Sequence, residues 1–293
     1  MTKDPLVSII TPTYNRADFI EETVKSVLGQ TVEDFEFLIV DDGSDDNTKA
    51  VLEPYLTDER ISYFYQKNQG QSVARNLGLA NSRGRFICFL DSDNAWLPDK
   101  LKRQISVMQK NPDVDIVYGD GIIIDEQSQE VSRNNIRRYS GHIAPQMLKD
   151  NCVSMNTAMA RRRCFEELGG MSGKRRVADD YDLWLRFSAK YKFLYVPEYF
   201  AKYRVMEDQI SSDKRRRLET NERIIHDFLQ EFPDAVTARQ AREGLAAFYA
   251  RKARYYATVP DRKTAFESIF RSLMYQPLGQ VPWRAFVRVL FPK

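Results

Sequence analysis

The sequence predicts an α/β protein in which a mostly parallel sheet is flanked by helices. Three observations support this class. Apolar runs of strand length alternate with stretches of helical periodicity through the first half of the chain. The segments that join them are short, and two of the apolar runs end in acidic clusters, at residues 41–44 and 91–94. Strands that alternate with helices over short connections form a parallel sheet with both faces covered.

The individual elements follow from this pattern. Gly29 closes the first helix, and Asp45 or Asp46 is expected to cap the second. Residues 131–139 are polar and basic without periodicity, so we expect a mobile connection there. The predicted strands are 7–10, 35–40, 61–65, 85–90, 115–118, 153–160 and 193–196. The predicted helices are 17–29, 47–56, 71–80, 97–110, 163–168 and 179–190.

The composition changes beyond about residue 212. Three helical patterns follow, near residues 214–231, 234–257 and 261–274, with breaks at Pro233 and Pro260. We therefore predict two parts: residues 1–212, which contain the sheet, and a C-terminal helical region of residues 213–293.

The bulk properties exclude several classes of protein. The net charge of +3 over 293 residues is too small to indicate a nucleic-acid partner. The three cysteines lack paired or metal-type spacing, which is typical of reduced residues in a cytoplasmic protein. The chain enters its first strand at once, without room for a signal peptide, and has no apolar stretch of about 20 residues. We expect a cytoplasmic protein that is soluble or at most peripheral to the inner face of the membrane.

The acidic cluster at residues 91–94 directly follows an apolar strand. Asp91 and Asp93 are two residues apart, so in extended backbone their side chains point the same way. Hard oxygen donors at a strand end suit Mg²⁺ or Mn²⁺, which usually retains waters and substrate phosphates as further ligands. The cluster therefore indicates a metal-bound, phosphorylated substrate.

Five segments in order strengthen this interpretation: residues 7–16, 40–44, 68–76, 90–93 and 169–186. Together they resemble the family 2 glycosyltransferases, GT-A-fold enzymes that use nucleotide-sugar donors. The resemblance covers about residues 5–212, which would form the GT-A catalytic domain. It implies sugar transfer from a nucleotide-diphosphate donor, most simply a UDP-sugar, to a hydroxyl of a glycan or lipid-linked saccharide. Catalysis would be metal-assisted and inverting.

The resemblance also implies a donor site at the first two strands. Pro12 and Tyr14 would contact the donor, and the Tyr14 ring could stack on uracil. Asp42 would accept a hydrogen bond from uracil N3–H. The alternatives are that Tyr14 packs in the core and that Asp42 caps the next helix.

Four further residues complete the implied site. Arg75 would counter the acidic cluster or a phosphate, unless it is a solvated helix residue. Asp91 would lie near the ribose, and Asp93 would hold Mn²⁺ or Mg²⁺. Asp180 would be the general base for the acceptor hydroxyl, rather than a simple helix N-cap. Asp179 would bind substrate, although it replaces the usual Glu.

The chain departs from the family pattern at two positions. Asn94 stands where many relatives carry an acid, and Met206 where many carry a histidine that completes the metal site. A thioether is a poor ligand for a hard cation, so Glu207 or Asp208 would have to help.

Two segments outside the motifs are basic. The loop at residues 174–176 could clamp a donor diphosphate or an anionic acceptor, or be solvated surface. Near the C-terminus, one apolar helical face could anchor the protein on anionic lipid or pack against its body. That face consists of Trp283, Phe286, Val287 and Leu290.

Other functions remain open at this point. A sugar nucleotidyltransferase has a related fold but needs a glycine-rich first loop, and residues 11–16 contain no glycine. A non-catalytic nucleotide-sugar-binding protein, or a scaffold for polysaccharide assembly, would account for Asn94 and Met206. A dinucleotide-binding dehydrogenase is excluded because no G-x-G-x-x-G follows the first strand.

Overall fold

A computed structural model describes residues 4–133, 137–175, 177–206 and 213–291 of the chain. The strands are β1 (Val7–Thr13), β2 (Phe35–Asp41), β3 (Ile61–Tyr65), β4 (Phe86–Phe89), β5 (Ala95–Trp96), β6 (Ile116–Ile124), β7 (Glu130–Arg133), β8 (Met159–Arg161) and β9 (Phe193–Arg204). The helices are α1 (Ile20–Leu28), α2 (Thr48–Leu52), α3 (Gln71–Asn81), α4 (Lys100–Lys110), α5 (Ala144–Met147), α6 (Arg162–Leu168), α7 (Asp179–Ser188), α8 (Lys214–Glu231), α9 (Ala238–Tyr256), α10 (Arg262–Tyr275) and α11 (Gln280–Leu290).

The strands form one sheet in the order β3-β2-β1-β4-β8-β6-β9-β5, with β7 paired to β6. Strands β3, β2, β1 and β4 are mutually parallel, as are β6 and β9. The short β8 runs antiparallel between β4 and β6 and joins the two parallel parts. The predicted α/β class, a sheet flanked by helices, is confirmed.

Helices cover both faces of the sheet because its central strands are apolar on both sides. Every residue of β1 and β2 is buried. Ile9 and Phe37 point into one core with residues of α1 and α4, whereas Ile10 and Leu38 point into the other core with residues of α6 and α7. This alternation follows from the two-residue period of a strand.

The strands β6 and β9 are much longer than predicted. Their parallel pairing extends from Ile116 and Phe193 to Ile124 and Arg204, with register shifts around Asp120. Gly119, Asp120 and Gly121 interrupt the apolar run of β6, so the sequence pattern ends at residue 118 although the strand continues. The extension matters because it carries Arg204 to the acidic cluster after β4.

The segment at residues 131–139 was predicted to be a mobile connection, and its described part is ordered instead. Residues 131–133 belong to β7. The Arg138 side chain is buried, forms an ion pair of 3.0 Å with Asp120 and donates to the Cys152 carbonyl oxygen at 2.6 Å. The ordering arises from this buried pair, which a polar sequence without periodicity does not reveal.

The capping prediction for the second helix is met in part. The Asp46 carboxylate accepts hydrogen bonds from the backbone N–H groups of Thr48 and Ala17. The residue that directly precedes the helix is Asn47, whose side chain makes no capping bond. Asp46 therefore stabilises the start of α2 from one position further upstream.

The C-terminal helices divide between two apolar cores. Ile224 and Phe228 of α8 and Phe248 of α9 join the core that contains α7. The end of α9 forms a smaller cluster with α10 and α11, through residues such as Ile269 and Val289. The division of the chain at residues 212 and 213 stays a prediction.

The last helix is exposed on its bulky side. Ala285 and Val289 are buried, whereas Trp283 and Val287 are 49% and 55% exposed. The predicted alternative that the bulky stripe packs against the body is therefore wrong for these two residues. Among the described helices, none combines the length and the apolar character needed to span a membrane.

Candidate active site

The candidate site forms where the ends of β1, β2 and β4 meet the start of α7. Strand β1 lies between β2 and β4, so the acidic residues that follow β2 and β4 flank it. Ligands of open α/β sheets bind at this carboxyl edge.

Arg75 on α3 connects the two acidic motifs. Its side chain is only 3% exposed, with Nη2 2.5 Å from Asp91 Oδ1 and Nη1 2.6 Å from Asp179 Oδ2. Burial lowers the pKa of Arg75, but the charges of Asp179 and Asp91 outweigh it, so that the pKa is raised overall. The alternative of a solvated helix residue is wrong, since Arg75 is the centre of a buried charge cluster.

Asn156 fixes the orientation of Asp91. Its side-chain oxygen accepts from the Asp91 backbone N–H at 2.8 Å, and its Nδ2 donates to Asp91 Oδ2 at 2.9 Å. Both carboxylate oxygens of Asp91 are thus engaged, one by Arg75 and one by Asn156. Asn156 was not predicted from the sequence, because it lies in a short turn and belongs to none of the motifs.

Asp93 lies in a turn rather than in extended backbone. The Asn94 N–H donates to the Asp91 carbonyl oxygen at 3.1 Å, so the prediction that Asp91 and Asp93 lie in extended backbone and point the same way is wrong. The Asp93 carboxylate lies 3.6 Å from Arg16 Nε. Burial, together with the charge of Asp91, raises the pKa of Asp93 to about 6.

Asn94 and Arg204 support this turn. Asn94 is buried, and its Oδ1 accepts from the Arg204 backbone N–H at 2.7 Å. The Arg204 guanidinium donates in turn to the Asp93 carbonyl at 2.9 Å. Asn94 therefore faces β9 and supplies an acceptor there. No role was predicted for Arg204, although it lies two residues before Met206.

Tyr14 and Asp42 lie at the ends of β1 and β2. Tyr14 is 44% exposed, so the core-packing alternative is wrong, and Pro12 is buried within β1. Asp42 accepts from Gln66 Nε2 at 2.6 Å and from the N–H groups of Gln69 and Gly70 at 2.8 and 2.7 Å. Asp42 thus holds the loop before α3 and does not cap α2.

The acid pair begins α7 under a strained residue. Ala178 has φ of +59°, a left-handed conformation that costs free energy for a residue with a Cβ. Asp179 is buried and accepts from Arg75, from Ser72 Oγ at 3.0 Å and from Gln71 Nε2 at 3.1 Å. These bonds hold the Asp179 carboxylate in place as the partner of Arg75.

Asp180 has a different environment. The residue is half-buried, and its Oδ2 accepts from Asn151 Nδ2 at 2.9 Å. Burial, with the added charge of Asp179, raises the pKa of Asp180 to about 6. Asp182 is turned away and pairs with Arg186 at 3.1 Å, while Trp184 lies in the core.

The donor set for a divalent metal is small. No group of three His, Cys, Asp or Glu side chains with suitable placement occurs in the described part of the chain. Asp93 can provide one hard oxygen ligand, which fits a Mg²⁺ or Mn²⁺ ion that takes its remaining ligands from phosphates and water. Met206 offers no such oxygen, and Glu207 and Asp208 lie outside the described residues.

The sequence of this chain is similar to those of known proteins. The model of glycosyl transferase family 2 matches residues 8–169. The chain is 36% identical over 220 residues to TuaG of Bacillus subtilis, and the match covers 72% of this chain and 83% of TuaG. The name of TuaG assigns it to teichuronic acid biosynthesis. It is 35% identical to WfgD of Escherichia coli, covering 78% of this chain and 88% of WfgD. WfgD is named as a UDP-Glc:alpha-D-GlcNAc-diphosphoundecaprenol beta-1,3-glucosyltransferase.

Other relatives are longer. The chain is 33% identical over 202 residues to a glycosyltransferase of Rickettsia conorii, and that match covers 69% of this chain but only 33% of the relative. The chain therefore corresponds to about a third of the rickettsial protein's length.

Solved structures share the fold. TarS of S. aureus in complex with UDP-GlcNAc has a TM-score of 0.70 at 17% identity, covering 96% of this chain and 83% of the TarS chain. The mannosyltransferase PcManGT of Pyrobaculum calidifontis, in complex with GDP-Man and Mn²⁺, has a TM-score of 0.60 at 19% identity, covering 100% and 89%. The family match spans more than half of the chain and agrees with the fold, so the chain belongs to glycosyl transferase family 2 and has the GT-A fold.

Proposed function

We propose that this glycosyltransferase moves a sugar from a UDP-sugar to a hydroxyl of a glycan or lipid-linked saccharide, with inversion at the anomeric carbon. The observation that carries the proposal is the bridge from Asp91 through Arg75 to Asp179. It joins the acidic segment that follows β4 to the acid pair that begins α7. A donor diphosphate and an acceptor base would meet there.

The donor would bind along the ends of β1, β2 and β4. The exposed ring of Tyr14 supports stacking on uracil. Asp42 would recognise the base, since a carboxylate has about four acceptor positions and three here go to the loop before α3. Asp91 would lie near the ribose. The complex of TarS with UDP-GlcNAc supports a uridine donor.

Asp180 would accept the proton of the attacking hydroxyl. A general base works best when its pKa lies near the operating pH, and a pKa of about 6 leaves this carboxylate ionised at neutral pH yet more basic than usual. Asp179 would keep the pair in place through Arg75. Because the two neighbouring acids differ in environment, they can take different roles.

A divalent cation, Mn²⁺ or Mg²⁺, would be held by Asp93 and would supply electrostatic stabilisation of the departing diphosphate. Asp93 suits this role because, among the described residues, its carboxylate has only a long ion pair, at 3.6 Å from Arg16 Nε. Arg204 and Asn94 would hold the turn that carries it. The complex of PcManGT with GDP-Man and Mn²⁺ supports a metal in this fold.

The acceptor and the location follow from the relatives and from the C-terminal helices. The name of WfgD supports an acceptor carried on a lipid diphosphate. The helices α10 and α11 expose large apolar side chains, including Phe270 at 66% and Trp283 at 49%, beside Arg284 and Arg288. An apolar face flanked by cations suits the surface of an anionic membrane. We propose peripheral association through these helices at the inner face of the membrane.

The test is turnover with a panel of nucleotide sugars, with and without Mn²⁺. Asp93→Ala and Asp180→Ala should each reduce transfer by several orders of magnitude. Asp182→Ala is the control on the same helix, because the Asp182 carboxylate is paired with Arg186 and Arg175 and has no proposed part in the proton transfer. This variant should retain most of the activity. Normal turnover in either of the first two variants would remove the assigned role. UDP binding without turnover across a broad acceptor panel would favour a nucleotide-sugar-binding or scaffold protein.

A further inference from the structure

A cavity of about 350 Å³ lies between the loop that precedes α7 and the first half of α8. Four cationic side chains line it: Lys174 and Arg175 from the loop, and Arg216 and Arg223 from α8. The cavity is separate from the ends of β1 and β2, where the donor is proposed to bind.

The cations of this cavity are only partly neutralised by neighbouring carboxylates. Arg216 and Arg223 are seven residues apart, so they lie on one side of α8, and Lys174 faces them from the loop. Within the described ranges, none of these three forms an ion pair with a carboxylate. The Glu219 side chain also lines the cavity, but its Oε1 already accepts from Arg215 and from the Tyr256 hydroxyl. A net positive charge therefore remains in the cavity.

Arg175 supplies a second, independent observation. Its side chain is only 10% exposed, and its Nη2 forms an ion pair with Asp227. Its Nε is buried and, among the described residues, has no hydrogen-bond partner. The nearest carboxylate oxygen, Asp182 Oδ1, lies 4.0 Å from this Nε, which is too far for a hydrogen bond. A buried guanidinium N–H without a hydrogen bond is costly, and an anion in the cavity would satisfy it.

The same loop is tied to the acid pair. Ser72 Oγ lies 3.2 Å from the Arg175 carbonyl oxygen and 3.0 Å from Asp179 Oδ2. Val177 lines the cavity and is three residues before Asp180. The Arg175 carbonyl thus faces α3, while its guanidinium faces α8. The cationic cavity lies on the α8 side of the acid pair.

We infer that this cavity binds the phosphate or diphosphate group of the acceptor, an inference that rests on the proposed function. A group held here on the α8 side would direct the attached sugar towards Asp180. The donor diphosphate is the less suitable occupant, because the donor site lies beside β4 and Asp93, on the other side of Arg75. Arg is the preferred partner of phosphate, since its guanidinium can donate two parallel hydrogen bonds.

The experiment compares wild-type protein with the double variant Arg216→Gln/Arg223→Gln. Arg217→Gln is the matched control, because Arg217 is on the same helix and exposed but does not line the cavity. The acceptors are one sugar carried on an alkyl diphosphate and the same sugar as a phosphate-free alkyl glycoside. In a parallel arm, calorimetry measures the binding of an alkyl diphosphate and of inorganic pyrophosphate to protein saturated with UDP.

The double variant should raise the KM for the diphosphate acceptor about tenfold or more, with kcat and the phosphate-free acceptor unchanged. Equal KM values in the double variant and wild type would overturn the inference. The binding arm decides the matter even if no transfer occurs with any donor, a result that would instead count against the proposed function. Loss of alkyl diphosphate binding in the double variant supports the cavity, and unchanged binding overturns it. Equally tight binding of pyrophosphate would identify the free anion, rather than a lipid-linked one, as a ligand.

Discussion

Arg75 and Asp179 form a buried ion pair between α3 and α7, with 2.6 Å between Nη1 and Oδ2. The two residues are 104 positions apart in the chain, and their side chains are 3% and 5% exposed. The pair therefore joins the parallel part of the sheet to the helix that carries the proposed base. We expect this one contact both to stabilise the fold and to position Asp180.

Removal of the cation should destabilise the protein strongly. Arg75→Met leaves Asp91 and Asp179 without their partner, and breaking such a buried pair costs about 3–5 kcal/mol. We expect the melting temperature to fall by roughly 10 °C in a thermal denaturation experiment. The double variant Arg75→Met/Asp179→Asn should recover part of this loss but no transfer activity. If the loss of stability in the double variant equals the sum of the losses in Arg75→Met and Asp179→Asn, the two residues are not energetically coupled.

The pH dependence of turnover should reflect two carboxyl groups. Asp93 and Asp180 both have a pKa raised to about 6, and the proposed roles need both in the ionised form. The kcat/KM should therefore rise with pH between about 5 and 7, with a logarithmic slope above one on the acid side. Circular dichroism over the same range excludes unfolding as the cause. A flat profile from pH 5 to 7 would contradict these roles.

The proposed base should also reduce the stability of the fold. A raised pKa means that the folded protein binds the Asp180 proton more tightly than the unfolded chain does, so this group's contribution to stability declines as the pH rises from about 4 to 6. Asp180→Asn should thus increase the free energy of unfolding by about 1–2 kcal/mol at pH 7.5, and by much less at pH 4. Melting curves at both pH values measure this.

Asp182→Asn is the matched control for that substitution. Asp182 pairs with Arg186 at 3.1 Å, so the neutral side chain should lower the stability instead of raising it. A loss of stability in Asp180→Asn at pH 7.5 would show that the Asp180 carboxylate is favourably paired in the fold.

The strands were predictable where every residue of the strand is buried. Strands such as β1 and β2 are buried on both faces, so each is an apolar run that ends near a turn. The second halves of β6 and β9 were not predictable, because their pairing depends on register shifts near Asp120 rather than on an apolar pattern. The burial of Arg138 depends likewise on its distant partner, Asp120.

Some residues of the candidate site were likewise predictable from the sequence and others were not. Tyr14, Asp42 and Asp93 follow apolar strands, so position alone indicated them. Asn156 and Arg204 act through contacts with partners 65 and 111 residues away, and neither periodicity nor charge pattern marks them. The pairing of Asp179 with Arg75 separates its role from that of Asp180, although the two acids are adjacent in the sequence.

The exposed ring at the end of β1 gives a prediction for donor binding. Tyr14→Ala should raise the KM for the UDP-sugar about tenfold with a small change in kcat, since stacking on a base contributes about 1–3 kcal/mol. Tyr14→Phe keeps the ring and should bind the donor nearly as wild type does. Calorimetry with UDP reports the same difference without turnover. Equal UDP affinities for Tyr14→Ala and wild type would exclude a stacking role.

The exposed apolar side of α11 gives a prediction for the membrane. Trp283 and Val287 are about half exposed, and Arg284 and Arg288 lie beside them. The protein should sediment with vesicles that contain anionic lipid and much less with neutral vesicles, and high salt should weaken the binding. Trp283→Glu/Val287→Glu should abolish binding while leaving transfer to a water-soluble acceptor unchanged. Arg239→Gln, on α9, is the control for a change of surface charge. Undiminished vesicle binding by the double variant would place any membrane contact elsewhere on the protein.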